Sequence, residues 1–283
     1  MSANDRSPKA RALGSALRAA REEQGWGLRQ LASQIGCAPG TLSRWETGER
    51  MPKRADVKRI LTQLDTDPER YDEIIDMTGG GADPRWIAVT LPEHRQQLAA
   101  LLECERTATE IFQMAPLLIP GPLQTTRYIR AIMTAGGVPA DEVETRIAVR
   151  IGRRELLTRS TAPRITYIIG EAALRQLVGS ADAMVEQLGH ILEMSKLDNV
   201  DIRVMPFDRS WHPGLDGSFL LIDSDEVSSV VFLETRSSGI FLHNKDDIDN
   251  YRVAADTVLN LALNGASSRK LISQICKELE ATR

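Results

Sequence analysis

Residues 38–50 read APGTLSRWETGER, and three of them, Thr41, Ser43 and Arg44, carry hydrogen-bonding groups on the side turned away from the apolar Leu42 and Trp45. Arginine presents a planar fork of donors that matches the O6 and N7 acceptors of guanine, and threonine can meet a thymine methyl or an acceptor. The chemistry open to this stretch is recognition of a base edge, with a small vocabulary. Arg50, Lys53 and Arg54 follow it as charges suited to phosphates, which position a duplex without specifying its sequence.

Short helices must carry these side chains. Leu13, Leu17 and Ala20 recur at helical spacing after Ser7 and Pro8, which suit an N-cap and first turn, and Gly25 stops that helix. Leu28, Leu31, Ala32 and Ile35 give a second helix of barely two turns, with Gly36 just past its end as a left-handed cap. Only Gly36, Cys37 and Ala38 precede Pro39, whose fixed φ and missing N–H suit the first position of a third helix, ended by Gly48. A three-residue turn between two short helices makes them cross steeply, with small Ala32 placed for close approach, which is helix-turn-helix geometry. A further helix follows Pro52, with Val57, Ile60, Leu61 and Leu64 covering the bundle.

The charge distribution agrees. The net charge is −4, but residues 1–60 hold 12 Lys/Arg against 6 Asp/Glu, and the remainder holds 23 against 33. A basic module on an acidic body is suited to a polyanion, because only the local field within a Debye length of about 8–10 Å matters.

The segment GLRQLASQIGCAPGTLSRWETGER resembles the Cro/C1-type (XRE) helix-turn-helix of bacterial regulators, over about residues 10–65. The resemblance implies that the helix beginning at Pro39 lies in the major groove, with Pro39, Gly40, Thr41 and Arg44 facing bases and Ser43 facing phosphate. It also implies a structural ion pair between Arg21, at the end of the first helix, and Glu46, before the closing turn. Members often open the second helix with Ser/Thr and Gln; Gly27 and Leu28 stand here instead, so phosphate anchoring at that edge falls to Arg29 or Gln30. Pro39 and Gly40 have no side-chain donors, which leaves direct reading to Arg44 and Thr41. One bidentate pair discriminates by only about 1–3 kcal/mol, so specific binding implies a dimer on two half-sites or reading of DNA shape.

Beyond Met77 the segment TGGGADP breaks the helical pattern and lacks the GK[ST] that a phosphate loop needs, so 79–92 is expected as a linker between a helix-turn-helix domain at 1–78 and a second domain at 93–283. Glu93–Phe112 reads as a helix, three prolines at 116, 120 and 122 mark an extended stretch before a helix from Leu123, and Asp141–Thr158 reads as another. The period then changes: Arg164–Ile169, VDIRVMPF, SFLLID, SVVFLET and GIFLH read as strands, spaced for an antiparallel sheet, among helices near 170–178, 181–197, 245–263 and 267–280. The fold class is α+β overall, an all-α N-terminal domain followed by an α+β domain with an antiparallel sheet.

Little in the second half suggests catalysis. His94, His190, His212 and His243 sit in separate segments without metal-ligand spacing. Asp246, Asp247 and Asp249 fall in the first turn of a helix, where carboxylates complement the macrodipole. Cys37, Cys104 and Cys276 are far apart and odd in number, so reduced, mostly buried thiols are expected. Neither a metal, a cofactor nor an enzymatic activity is expected. Two features stay open as surfaces for a partner or ligand: the loop DRSWHPG with Trp211 and His212, and a helix whose Arg146, Arg150, Arg153 and Arg154 read as largely outward, partly paired with Glu142, Glu144 and Glu155. Trp211 is equally suited to closing the core.

LLIPGPLQTTRYIRAIM, RIAVRIGRRELL, IIGEAALRQLVGS, VDIRVMPF and the HPGLDGSFLLID to VVFLET hairpin resemble the large C-terminal domain of WhiJ-type regulators of actinobacteria, over about residues 10–275. The resemblance implies an antitoxin-like regulator that acts with a small acidic or neutral protein encoded nearby. The combined expectation is a dimeric, sequence-specific transcriptional regulator binding double-stranded DNA and controlled through its C-terminal domain by that partner, or alternatively by a small-molecule effector. With no membrane-length apolar run and a polar MSANDRSPKA opening, it is expected in the cytoplasm, away from membranes.

Overall fold

The structure, a computed structural model, describes residues 7–79, 85–87, 91–225, 228–235 and 239–281. In chain order the elements are α1 (Pro8–Glu23), α2 (Leu28–Gln34), α3 (Pro39–Glu46), α4 (Arg54–Gln63), α5 (Pro68–Asp76), β1 (Arg85–Ile87), α6 (Leu91–Arg106) and β2 (Glu110–Ala115). They continue with α7 (Thr126–Ala135), α8 (Ala140–Gly152), α9 (Glu155–Thr158), β3 (Arg164–Gly170), α10 (Glu171–Arg175), α11 (Ala181–Met194) and β4 (Val200–Met205). The last are β5 (Phe219–Asp223), β6 (Val230–Glu234), β7 (Gly239–Leu242), α12 (Lys245–Leu261) and α13 (Gly265–Ala281). The chain forms two compact units, residues 1–108 with 223–248, and residues 109–222 with 249–283. Residues 79–92, expected as a linker, include β1 and the first two residues of α6.

In the first unit, Ser7 Oγ accepts from Ala10 N–H at 3.1 Å and Pro8 opens α1, so both halves of an N-terminal signal are used. Gly25 and Gly36 close α1 and α2 at φ +69° and +66°, where a β-carbon is strained. Between α2 and α3 the Cys37 N–H reaches back to the Ala32 carbonyl at 2.9 Å, which tightens the turn. The core that results is built from Leu13, Leu17, Leu31, Ala32, Leu42, Val57, Ile60, Leu61 and Ile74. Beside the helices, β7 pairs antiparallel with β1 and with β6.

Backbone meets backbone where α1 crosses α3. A β-carbon at Gly14 would lie 2.4 Å from the Trp45 carbonyl oxygen, and one at Gly48 would lie 2.7 Å from Arg11 Cα at a backbone φ of +71°. Arg11 is itself buried; its Nη1 donates to Cys104 Sγ at 3.3 Å and its Nη2 to the Ser228 carbonyl at 2.5 Å. Burial pushes the Cys104 thiol up to about 11, opposed in part by Arg11.

In the second unit β2, β3 and β4 are parallel and in sequence order, with Glu110 opposite Arg164 and Ile165 opposite Val200, and β5 lies beside β2. The sheet is therefore mixed, which corrects the antiparallel expectation. Helices intervene between β2, β3 and β4, and a chain that crosses over through helices returns in the same direction. The α+β class stands, with β6 and β7 antiparallel as their spacing suggested. A second correction concerns 110–112, read from the sequence as the end of a helix. Thr107 Oγ1 turns back to the Glu103 carbonyl at 3.2 Å as α6 ends, and EIFQMA pairs with β3. At the other side, β4 has its edge capped: Val204 N–H donates to Ser268 Oγ and the Val204 carbonyl accepts from Leu263 N–H, both at 2.9 Å.

A helical glycine replaced by alanine ordinarily gains about 0.5–1 kcal/mol of stability. Gly14→Ala should instead destabilise the protein by about 1–3 kcal/mol, because the new methyl must push α3 off α1. Urea unfolding measures the sign, and a stabilised variant would show that the crossing is looser than described.

Candidate nucleic-acid interface

The geometry of α3 follows from what it buries. Leu42, Trp45 and Glu46 face inward, while Pro39, Gly40 and Arg44 are exposed and Thr41 and Ser43 half-exposed. No atom approaches within 4 Å of a β-carbon built at Gly40, so the backbone there is open to close approach. Arg44 extends from the third turn-forming position beyond Thr41 on the open side of the helix. Arg29 on α2, Arg50 in the turn after α3, and Lys53 before α4 are exposed as well. Among the described residues none of these four basic side chains makes a hydrogen bond or ion pair, so their charge is free for an outside anion.

Other candidates are engaged. Gln30 Oε1 accepts from the Gly27 N–H at 3.4 Å, standing in for the Ser/Thr cap that α2 lacks. Arg54 Nη1 donates to the Ile75 carbonyl at 3.0 Å and to Thr78 Oγ1 at 3.2 Å, so it fastens α4 to the end of α5.

Arg21 and Glu46 meet in a bidentate pair, Nε to Oε1 at 2.7 Å and Nη2 to Oε2 at 2.8 Å, with both residues buried. Arg21 Nη1 donates to the Trp26 carbonyl at 2.8 Å, and the Glu46 hydrogen bond raises the already high guanidinium pKa. Two positioning residues escaped sequence reasoning. Arg18, one turn before Arg21, donates to the Glu46 carbonyl at 3.1 Å, and Arg59 on α4 donates to the Ile35 carbonyl at 3.0 Å. The i,i+3 spacing of Arg18 and Arg21 was the available signal for the first; nothing local marks the second.

The second unit rearranges the remaining candidates. Trp211 is 66% exposed and does not close the core, whereas its neighbour His212 is buried with Nδ1 lacking a partner. Of the arginines read as outward, only Arg146 behaves so, paired with Glu142 at 2.6 Å. Arg150 Nη1 donates to Gln124 Oε1 at 3.1 Å and Arg154 Nη2 to the Gln124 carbonyl at 2.5 Å. Arg153 lies against Gly121, where an added β-carbon would stand 3.1 Å from its Nη1. Arg150 and Arg154 thus hold the proline-rich segment 120–124, with Arg153 beside it, instead of forming a solvated stripe. Asp247 sits in the first turn of α12 as expected, and its N–H is capped by Asn244 Oδ1 at 2.8 Å.

A buried carboxylate clamping the start-side helix to a short exposed helix flanked by free cations defines the class: a helix-turn-helix, the module of DNA-binding proteins. In agreement, residues 12–74 match the family described as a helix-turn-helix domain. Residues 98–274, more than half the chain, match the family described as a domain of unknown function, DUF5753, and the chain belongs to that family. No curated protein and no solved structure matches it. Among the described residues no helix is long and apolar enough to cross a membrane.

Two measurements test this arrangement. Glu46→Ala strands a buried guanidinium and should cost about 3–5 kcal/mol, read by chemical denaturation; a loss under 1 kcal/mol would mean the pair is dispensable. Burial lowers the pKa of His212, and burial with the nearby Arg154 lowers that of His190. Each therefore takes up its proton less readily in the folded chain than in the unfolded one as the pH falls below the ordinary histidine value of about 6.5. Stability should therefore decline from pH 6.5 toward 5, and a His190→Gln, His212→Gln double variant should flatten that limb.

Proposed function

We propose that this protein is a sequence-specific transcriptional regulator that binds double-stranded DNA as a homodimer. The observation that carries the reading is the exposed face of α3, with Thr41 and Arg44 held outward by the inward clamp of Glu46 and with Arg29, Arg50 and Lys53 unpaired beside it. Arg44 reads guanine, Thr41 a neighbouring base, and Pro39 and Gly40 allow the backbone close to the base edges. Ser43, Gln30, Arg29, Arg50 and Lys53 contact phosphates; Arg54 contributes only the charge left over from its bonds to α5.

The DUF5753 domain supplies dimerisation and the regulatory surface. Its resemblance to WhiJ-type regulators of actinobacteria favours control by a small protein encoded nearby, in an antitoxin-like arrangement, in the cytoplasm and without enzymatic activity. Support for the non-enzymatic part comes from the fate of the polar groups: Arg150 and Arg154 are spent on Gln124, and the buried His212 and half-buried His190 lie in separate segments.

In binding assays against an operator selected from random-sequence DNA, Arg44→Ala should abolish preference for the operator while leaving random-sequence affinity nearly intact. Lys53→Ala should weaken binding to all sequences and reduce the salt slope by about 1. Equal loss on both DNAs from Arg44→Ala would remove the base-reading role.

A further inference from the structure

Large apolar side chains stand exposed at nine positions among the described residues, and five of them fall in two loops: Leu117 and Leu118 after β2, and Phe207, Trp211 and Leu215 between β4 and β5. The strand order brings these loops together. Since β5 lies beside β2 while β4 is two strands away, the segment 206–218 must cross the carboxyl ends of β3 and β2. Its anchors lie along that path. Phe207 N–H donates to Glu171 Oε2 at 3.1 Å, just past β3, and Gly214 sits so tightly on β2 that an added β-carbon would lie 2.4 Å from Met114 Cε. The first loop passes the same place: a β-carbon on Gly170 would be 2.3 Å from the Pro116 carbonyl oxygen.

The loop is thus a fixed surface that turns His212 in and its aromatic neighbours out. Leu117, Phe207, Trp211 and Leu215 are each between 63% and 68% exposed. Together with Leu118 they offer apolar area on the order of 600 Å² per protomer, at the upper limit for a monomer surface and close to the roughly 800 Å² per partner of a standard interface. Of the adjoining charges, Asp208 pairs with Arg209 at 3.0 Å and Asp216 stands exposed beside Leu215, so the rim carries little net charge beside a large apolar area. A mainly apolar patch is complementary to itself, the condition for a two-fold interface.

We infer that this patch, Leu117, Leu118, Phe207, Trp211 and Leu215 over the carboxyl ends of β2–β4, is where a second copy of the chain docks. The inference rests on the proposed function in one respect, that a helix-turn-helix with so few base-reading groups requires two copies; the apolar surface carries it independently. Trp211 and Phe207 form the centre of the contact, as buried aromatics commonly do.

The test is sedimentation of the full chain over a range of concentrations, with Phe207→Asp and Trp211→Asp as separate variants. Val253→Asp serves as control, an equally exposed apolar residue on α12. The wild type and the control should sediment as dimers at micromolar concentration, and each patch variant should raise the dimer dissociation constant at least about a hundredfold with an unchanged circular dichroism spectrum. Patch variants that remain dimeric overturn the proposal. So does a wild type that is monomeric alone and uses Trp211 to bind a different protein. Duplex binding is measured separately: a dimer that the patch variants dissolve but that binds no DNA supports the interface and defeats the DNA-binding reading, whereas DNA binding by a dimer indifferent to the patch does the reverse.

Discussion

Arg21 makes one connection on which the first unit depends. Its guanidinium holds both oxygens of Glu46 at the end of α3 and the carbonyl of Trp26 in the turn before α2, so a single side chain from α1 sets the place of the two helices that matter. Buried ion pairs add little net stability over an apolar pair of the same shape. What this one supplies is rotation. Residues two apart in a helix project about 200° from each other. With Glu46 held inward, Arg44 must face out. Gly14 and Gly48 let α1 and the end of α3 come close enough for the clamp to close, and Arg18 adds a second bond to the same carboxyl-terminal turn.

The charge of the module has to be read after burial. Of the basic residues in 1–60 that suggest an anion-binding face, Arg11 and Arg21 are buried, while Arg18, Arg54 and Arg59 bond to backbone carbonyls. Those groups serve the scaffold. Among the described residues those that remain free, Arg29, Arg44, Arg50, Lys53 and Lys58, form a smaller set than composition implied. They are exposed, and the field of a polyanion can act on them without desolvating an existing pair.

The helices of the first unit were legible in the sequence because each carries its own punctuation: Ser7 and Pro8 at one start, Pro39 at another, and Gly25, Gly36 and Gly48 at the ends. The strand segments were legible too, apart from β1, which lies inside the expected linker, and β2. EIFQMA continues the apolar spacing of α6, and only its pairing with β3, fifty residues away, makes it a strand. Sheet direction has the same non-local origin, since it depends on how helices route the chain between strands. Arg150 and Arg154 mislead for a related reason: helical spacing places them on a face, but the segment that covers that face arrives from 120–124. Trp211 and His212 are adjacent and of similar promise in the sequence, and only the path of the loop across β3 and β2 decides which is inside.

That path also bears on how two units of such different character serve one task. The edge of β4 is closed by Leu263 and Ser268, which removes the simplest route to association, strand addition at that side. Of the basic residues that α8 and its continuation seemed to offer, Arg150 and Arg154 are spent on Gln124. What stays uncovered in the second unit is the apolar surface at the carboxyl ends of the parallel strands, the position where open sheets with crossover helices leave their loops. On the proposed reading, in which one arginine and one threonine meet bases, discrimination is gained by repetition, because two half-sites double a contact worth about 1–3 kcal/mol. The spacing of those half-sites must then be set by whatever holds the two copies together. The exposed surface proposed for that lies in the DUF5753 domain, and on that proposal the larger domain would set which DNA the smaller one reads.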